Sequence, residues 1–342
     1  MTDSPHIHVM LDSGAFSAWN SGKVIDLPGY CAYIQRNSEW LGSYVALDVI
    51  NPQDPDAAAE QSFANLLYMR AQGLNPVPVY HAGEDVKWLH KMLDLGCDYI
   101  GLSASSLVKR GNVDDWYASA WGHLVNKEGL PIVKTHAFGE GRTDSLLRFP
   151  WHTSDSMTWI HFARVYGWIR SNSRSQPFNM LDFKTMDYAE KEEVAALLDN
   201  CGVSFEFFTL DPRSPEATIL RSYLMLLFYK QEVVEIQAKR AKTYKPSGFF
   251  APTLSTKPCY PEPTYAFHLG ATTEPSAYPI FAKTDTRSCM ISYFYLQNVS
   301  NKGPFPQLRD FVYNPRAVAQ SNPVWNKYWQ ILEKYTDDRF RA

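Results

Sequence analysis

Two carboxylates stand where an apolar strand hands the chain to a turn. Asp12 lies in the segment LDSGAFS, Leu11 to Ser17, behind an apolar run, and Asp155 lies in SDSM, Ser154 to Met157. A strand that ends in Asp before Ser and Gly can present its carboxylate to a cleft, with Gly14 permitting close backbone approach. Ser154 and Ser156 are suited to donate hydrogen bonds that keep Asp155 ionised. A pair of this kind suits displacement at a sugar anomeric carbon, one carboxylate acting as nucleophile and the other as acid and base. Each Asp also has a second reading from the same residues, as the N-cap of the helix that follows.

Further polar residues fall at the same kind of place: Asp48 in VALDVINP, His81 in PVPVYHAGE, Ser103 in YIGLSAS and His136 in PIVKTHAFG. Asp48 can alternatively form an Asx-turn before Pro52, and His81 can be a satisfied structural histidine. His136 is placed to contact a sugar or to orient Asp155, and Gly139 and Gly141 can open amides toward a phosphate. Phe16, Phe138 and Trp159 are candidates for stacking on a base, within a chain of 19 Phe, 20 Tyr and 10 Trp most of which must be core. Arg142, Arg148, Arg164, Arg170 and Arg174 surround the second Asp, and Lys239, Arg240, Lys242 and Lys245 end a long helical segment. Both groups suit backbone phosphates, with solvated surface as the alternative.

The elements that must position these residues form a repeat. Short apolar runs ending in polar turns alternate with segments such as DPDAAAEQSFANLLYMRAQG and EDVKWLHKMLDLG, whose apolar residues recur at helical spacing and which end at glycine. Almost wholly apolar strands alternating with helices imply an α/β fold with a parallel sheet covered by helices. An open doubly wound sheet and a closed barrel both fit that pattern. Chemistry at six successive strand ends favours a TIM-like (β/α)8 barrel, incomplete or irregular, because a barrel gathers all those ends at one mouth. The pattern changes near residue 200, giving a catalytic core over 1–200 and a C-terminal α+β extension over 201–342. That extension reads as a long helix over EATILRSYLMLLFYKQEVVEIQAKRAKTYK, a Pro-rich stretch from Pro246 to Pro263, a strand ISYFYLQ and a helix around Trp325 to Tyr335.

Composition narrows the function classes. With 342 residues, 45% hydrophobic and 20% charged, the chain has an ordinary globular composition. The start MTDSPHIHVM lacks the features of a signal peptide, and no run of 18 apolar residues occurs, so a soluble cytoplasmic protein with no membrane partner is expected. The five cysteines are scattered without CxC or CxxC spacing, which signals neither a disulfide framework nor a zinc site. A net charge of −3 is neutral evidence on nucleic acid.

These motifs together resemble the tRNA-guanine transglycosylase superfamily, whose DSGGFQ signature is similar to LDSGAFS. The resemblance is closer to the DpdA branch of phages and bacteria, DNA transglycosylases that insert 7-deazaguanine derivatives. There, segments like LDSGAFS, YVALDVI, YIGLS, HAFG and SDSxxW occur in this order, covering roughly residues 7 to 170 here. The resemblance implies Asp155 as the nucleophile at C1′, Asp12 as general acid and base, and Asp48 as the acceptor for the N1–H and 2-amino donors of a guanine-like base. His81 takes the place of a family Gln, at the base O6 or 7-substituent, while Gly101 and Leu102 match a Gly-Leu pair whose backbone touches the base edge. Ser13, Gly14, Phe16, His136 and Phe138 complete the implied substrate site, with Arg142, Arg170, Arg174, Lys239 and Arg240 as implied nucleic-acid contacts. No metal or cofactor is implied. The partners are double-stranded DNA with the target nucleotide flipped out and a 7-deazaguanine such as preQ0. Transfer-RNA members carry a CxCxxC…H zinc site that this sequence lacks, which moves the expectation from tRNA to DNA. A hydrolytic DNA glycosylase and a tRNA enzyme remain the alternatives.

Overall fold

The computed structural model describes residues 9–39, 41–104, 113–127, 129–171, 175–243 and 323–336. These fall into two compact units, one of 9–156 with 236–243, the other of 157–235 with 323–336.

The first unit is built on parallel strands. β1 (Val9–Leu11) pairs with β2 (Leu41–Tyr44), and β3 (Val79–His81), β4 (Tyr99–Ser103), β5 (Lys134–Phe138) and β6 (Thr153–Ser154) pair in that order. A parallel bridge between Val45 and Val77 joins the two pieces, with the Val77 amide donating to Tyr44 and the Ala46 amide to Val77, each at 2.8 Å. Strand order therefore follows chain order across all six strands, without the reversal that creates a switch point in doubly wound sheets. The ladder of β2 sits earlier than the sequence implies, because its pairing ends with the Val45–Val77 bridge and the Ala46 amide and leaves Asp48 in the segment beyond.

Alternation of side chains along each strand assigns the two faces. Met10, Val45, Val77 and Val79 form a buried cluster on one face, joined by the partly buried rings of Tyr99 and Phe138. Each such aliphatic side chain contributes about 1.5–3 kcal/mol by leaving water. Ile100, Leu102 and Ala137, all buried, point to the opposite face, where Tyr80 stacks on Trp116 at 5.8 Å. Trp116 belongs to helix α5 (Val113–Gly122). Leu102 thus packs away from the face that carries Gly101 and His136.

The other helices of this unit are α1 (Ala15–Ser21), α2 (Leu27–Asn37), α3 (Pro55–Ala71), α4 (Val86–Asp94) and α6 (Thr143–Arg148). Asp26, Asp54 and Asp85 cap α2, α3 and α4 through their side chains, and Pro follows the cap in α2 and α3. Gly73 and Gly96 lie just past α3 and α4, their amides bonded back to the Arg70 and Leu93 carbonyls.

The second unit begins with α7 (Thr158–His161), which runs into a π-helical turn, Phe162–Tyr166. A small antiparallel pair, β7 (Trp168–Ile169) with β8 (Phe178–Asn179), precedes α8 (Tyr188–Asn200), α9 (Pro215–Thr243) and α10 (Pro323–Tyr335). Residue 200, where the sequence pattern changes, closes α8 within this unit. Arg221 of α9 is buried and donates to the carbonyls of Ala163 and Pro212 and to Thr218 Oγ1, at 3.0, 2.6 and 3.1 Å; burial pulls its guanidinium down to about 10. The Pro-rich stretch and the expected strand ISYFYLQ lie outside the described residues.

Candidate active site

The LDSGAFS segment turns sharply after β1, and each of its residues has a separate task. Gly14, at φ 77°, takes the left-handed conformation that a side chain would strain, and it opens α1 without a side-chain cap. Asp12 is therefore not the helix cap. Its Oδ1 accepts the Ser13 amide at 2.8 Å, and the residue is exposed. Ser13 turns inward, where its Oγ donates to Asp48 Oδ1 at 2.7 Å and accepts the Ala15 amide at 3.2 Å. Phe16 points outward, 52% exposed, with its ring 5.9 Å from Trp19. Burial, then the charges of Asp12 and Asp48, push the phenol of Tyr30 well above its ordinary value, so both carboxylates act on one neighbourhood.

Asp48 belongs to a buried network made by three successive strand ends. Its Oδ2 lies 3.1 Å from His81 Nε2, and His81 Nδ1 lies 2.9 Å from Glu84 Oε1. Glu84 Oε2 also accepts the His81 amide at 3.0 Å. The Asx-turn reading fails, because the Asp48 carboxylate is engaged by Ser13 and His81 across strands. Burial alone would lower the His81 pKa, but the hydrogen bonds and charges of Asp48 and Glu84 outweigh it and raise the imidazole to about 10. His81 is thus an imidazolium between two carboxylates, with both ring nitrogens donating to them. This corrects its implied role at O6 or a 7-substituent: no ring N–H is left for a base, and His81 instead holds Asp48.

The second network is built by β4, β5 and β6. His136 Nε2 lies 3.1 Å from Asp155 Oδ1, and the Gly139 amide donates to the same oxygen at 2.9 Å. Asp155 leaves β6 with its own amide bonded to the Ala137 carbonyl at 3.2 Å. α7 begins at Met157 without a side-chain cap, so Asp155 is not a helix cap either. The side chain of Asp155 is 14% exposed, enough to reach a ligand, while the His136 ring that faces it is buried. The Gly139 amide, expected to face a phosphate, is committed to Asp155.

Register explains Gly101 and Phe138. Gly101 pairs with Val79 on one side and His136 on the other, and a Cβ there would lie 2.4 Å from Phe138 Cε2. The room left by Gly101 is filled by the Phe138 ring, which meets His136 edge to face at 4.4 Å. Gly101→Ala is expected to push that ring off His136, lowering stability by about 1–3 kcal/mol. Urea unfolding measures this, and Phe138→Leu in the Gly101→Ala background restores part of it; an unchanged midpoint in Gly101→Ala contradicts the packing account.

Other candidates are placed as follows. Trp159 is buried in the second unit and belongs to its core, not to a stacking surface. Arg142 is held by Glu140 and Asp114, its Nη2 lying 2.6 and 2.7 Å from their carboxylates. Arg170 lies over the Phe228 ring, 5.2 Å from its centroid. Lys239 is exposed on α9, while Arg174 and the side chain of Arg240 lie outside the described residues. Among the described residues, Cys31, Cys97 and Cys201 are free thiols, no group of three or more His, Cys, Asp or Glu could hold a metal ion, and no helix is long and apolar enough to cross a membrane.

Sequence reasoning missed Glu84, Tyr99 and Thr153. Thr153 Oγ1 lies 2.6 Å from His136 Nδ1 and is also hydrogen-bonded to the Tyr99 hydroxyl. The one sequence signal for Glu84 is its place three residues after His81. No protein-family model, curated protein or solved structure matches the chain.

Proposed function

We propose that this chain is a DNA guanine transglycosylase that exchanges guanine in DNA for a 7-deazaguanine derivative of the preQ0 kind. The observation that carries the reading is Asp155, a strand-end carboxylate held at Oδ1 by an imidazole and a backbone amide and not spent on a helix cap. Attack is assigned to the Asp155 carboxylate. It forms a sugar-aspartyl ester at C1′ and breaks the glycosidic bond, and the departing guanine takes a proton from Asp12. The Asp12 carboxylate then removes the N9 proton of the incoming 7-deazaguanine, whose N9 displaces Asp155 from C1′. Two displacements retain the configuration of the sugar.

Asp48, held by Ser13 and His81, is assigned to accept from the N1–H and 2-amino groups of the base, and Phe16 to stack on it. The unbroken parallel order of β1 to β6 supports closure into a TIM-like barrel, incomplete or irregular, with Asp12 and Asp155 at one mouth. Cysteines without zinc spacing weigh toward DNA over tRNA. In duplex DNA the target nucleotide is flipped out, at a cost of roughly a few kcal/mol. The cytoplasm, where DNA and the free base meet, is the assigned location.

Expression in cells that supply a 7-deazaguanine, followed by mass spectrometry of nucleosides, tests the reading. A 7-deazaguanine deoxynucleoside in DNA is the expected result. Modified tRNA with unmodified DNA moves the substrate to tRNA, and abasic sites without incorporation identify a glycosylase that resolves the ester with water.

A further inference from the structure

Behind Asp155 lies a row of polar groups, buried at His136 and Thr153 and partly buried at Tyr99, that the reaction does not consume. Tyr99 of β4, Thr153 of β6 and His136 of β5 share one sheet face, and their polar atoms are linked in sequence. The row ends where His136 Nε2 meets Asp155 Oδ1 at 3.1 Å.

The direction of each bond follows from counting protons. An ionised Asp155 only accepts, so His136 Nε2 must carry the hydrogen. In the neutral ring Nδ1 is then an acceptor, and the donor facing it is the Thr153 hydroxyl at 2.6 Å. Thr153 has one proton, which is spent on His136, so its link to Tyr99 requires the phenol to donate. Burial, the larger influence, and the charge of Asp155 push the Tyr99 pKa far up, with only its bond to Thr153 opposing them, so that phenol keeps its proton. The reverse polarity needs Nδ1–H facing Thr153, through either a protonated Asp155 or a doubly protonated ring, and the Tyr99 proton directed elsewhere.

We propose that Tyr99 and Thr153 are positioning residues that fix His136 as its Nε2–H tautomer and aim that N–H at Asp155, a role that rests on Asp155 being the nucleophile. Three strands must be in register to build the row, which makes it a property of the sheet and not of a loop. A fixed tautomer means that the donor to Asp155 is in place before substrate arrives.

The test uses the full chain labelled with ¹⁵N, with His136 assigned by the signal lost in His136→Gln. Long-range ¹H–¹⁵N correlation is expected to show a protonated Nε2 and an unprotonated Nδ1. Thr153→Val leaves Nδ1 without its donor and should shift and broaden the His136 ring signals as the ring loses its fixed orientation, Thr153→Ser should restore the wild-type spectrum, and near-UV circular dichroism checks that both fold. On base exchange, Thr153→Val is expected to lower kcat about 10- to 100-fold, as when the partner behind a functional histidine is lost, with KM little changed. A wild-type Nδ1–H tautomer, or a Thr153→Val ring identical to wild type, overturns the proposal. The tautomer is read without substrate, so a wild-type protein that exchanges no base overturns the nucleophile reading while the spectra still judge the row.

Discussion

Asp155→Asn is expected to abolish the covalent sugar adduct and to lower turnover roughly 10⁴-fold or more, the scale on which loss of a nucleophilic group acts. The substitution is isosteric. An amide oxygen still accepts from the Gly139 amide and from His136 Nε2, so the end of β6 keeps these two hydrogen bonds. What is lost is the charge and nucleophilicity of the carboxylate. Intact-mass analysis of the protein incubated with a guanine-containing oligodeoxynucleotide should show a protein-sugar adduct for the wild type and none for the variant. A variant with wild-type turnover sinks the nucleophile assignment.

The second large effect concerns stability. Asp48→Asn leaves a buried imidazolium with one carboxylate where it had two, and removing one partner from a buried ionic network costs about 3–5 kcal/mol. The pH dependence follows from the His81 shift, from an ordinary value of 6.5 to about 10 in the folded chain. Between those values the folded state holds a proton that the unfolded chain has released. The stabilisation is therefore complete below about pH 6.5 and disappears as pH rises toward 10. Urea unfolding at pH 6, 8 and 10 should show the wild type losing stability across this window, and Asp48→Asn losing it at lower pH. Wild-type stability that rises between pH 7 and 9 would falsify the assignment of His81 as a buried cation.

Much of the scaffold is legible in the sequence because burial imposes composition. The runs around Met10, Val79, Ile100 and Ala137 are apolar on both faces, as a strand covered on both sides requires, and each ends in a polar residue that marks the strand end. The helices α3 and α4 announce themselves by helical spacing and terminal glycines, and α9 by its length. The two Asp residues are visible too, but residue type alone leaves each as cap or catalyst. The choice is made by backbone geometry: Gly14 and Met157 occupy the cap positions. Tyr99 and Thr153 escape notice because each reads as an ordinary strand residue. Their meaning comes from lateral register, Gly101 opposite His136 and His136 opposite Thr153, which no single segment encodes. His81 was legible as a strand-end residue, yet its role depended on Glu84 turning back to claim the ring nitrogen that a ligand would have used.

Strand order equal to chain order also fixes a timetable for synthesis. A chain leaving the ribosome in order delivers Ser13, Asp48, His81 and Glu84 from consecutive strand ends, so the group that holds Asp48 has all its members once Glu84 has emerged. The group around Asp155 needs residue 155, which emerges well after Glu84. The nascent protein thus has the parts of the Asp48 group while Asp155 is still unmade, and a ribosome stalled between those two points carries a chain without the carboxylate proposed as the nucleophile.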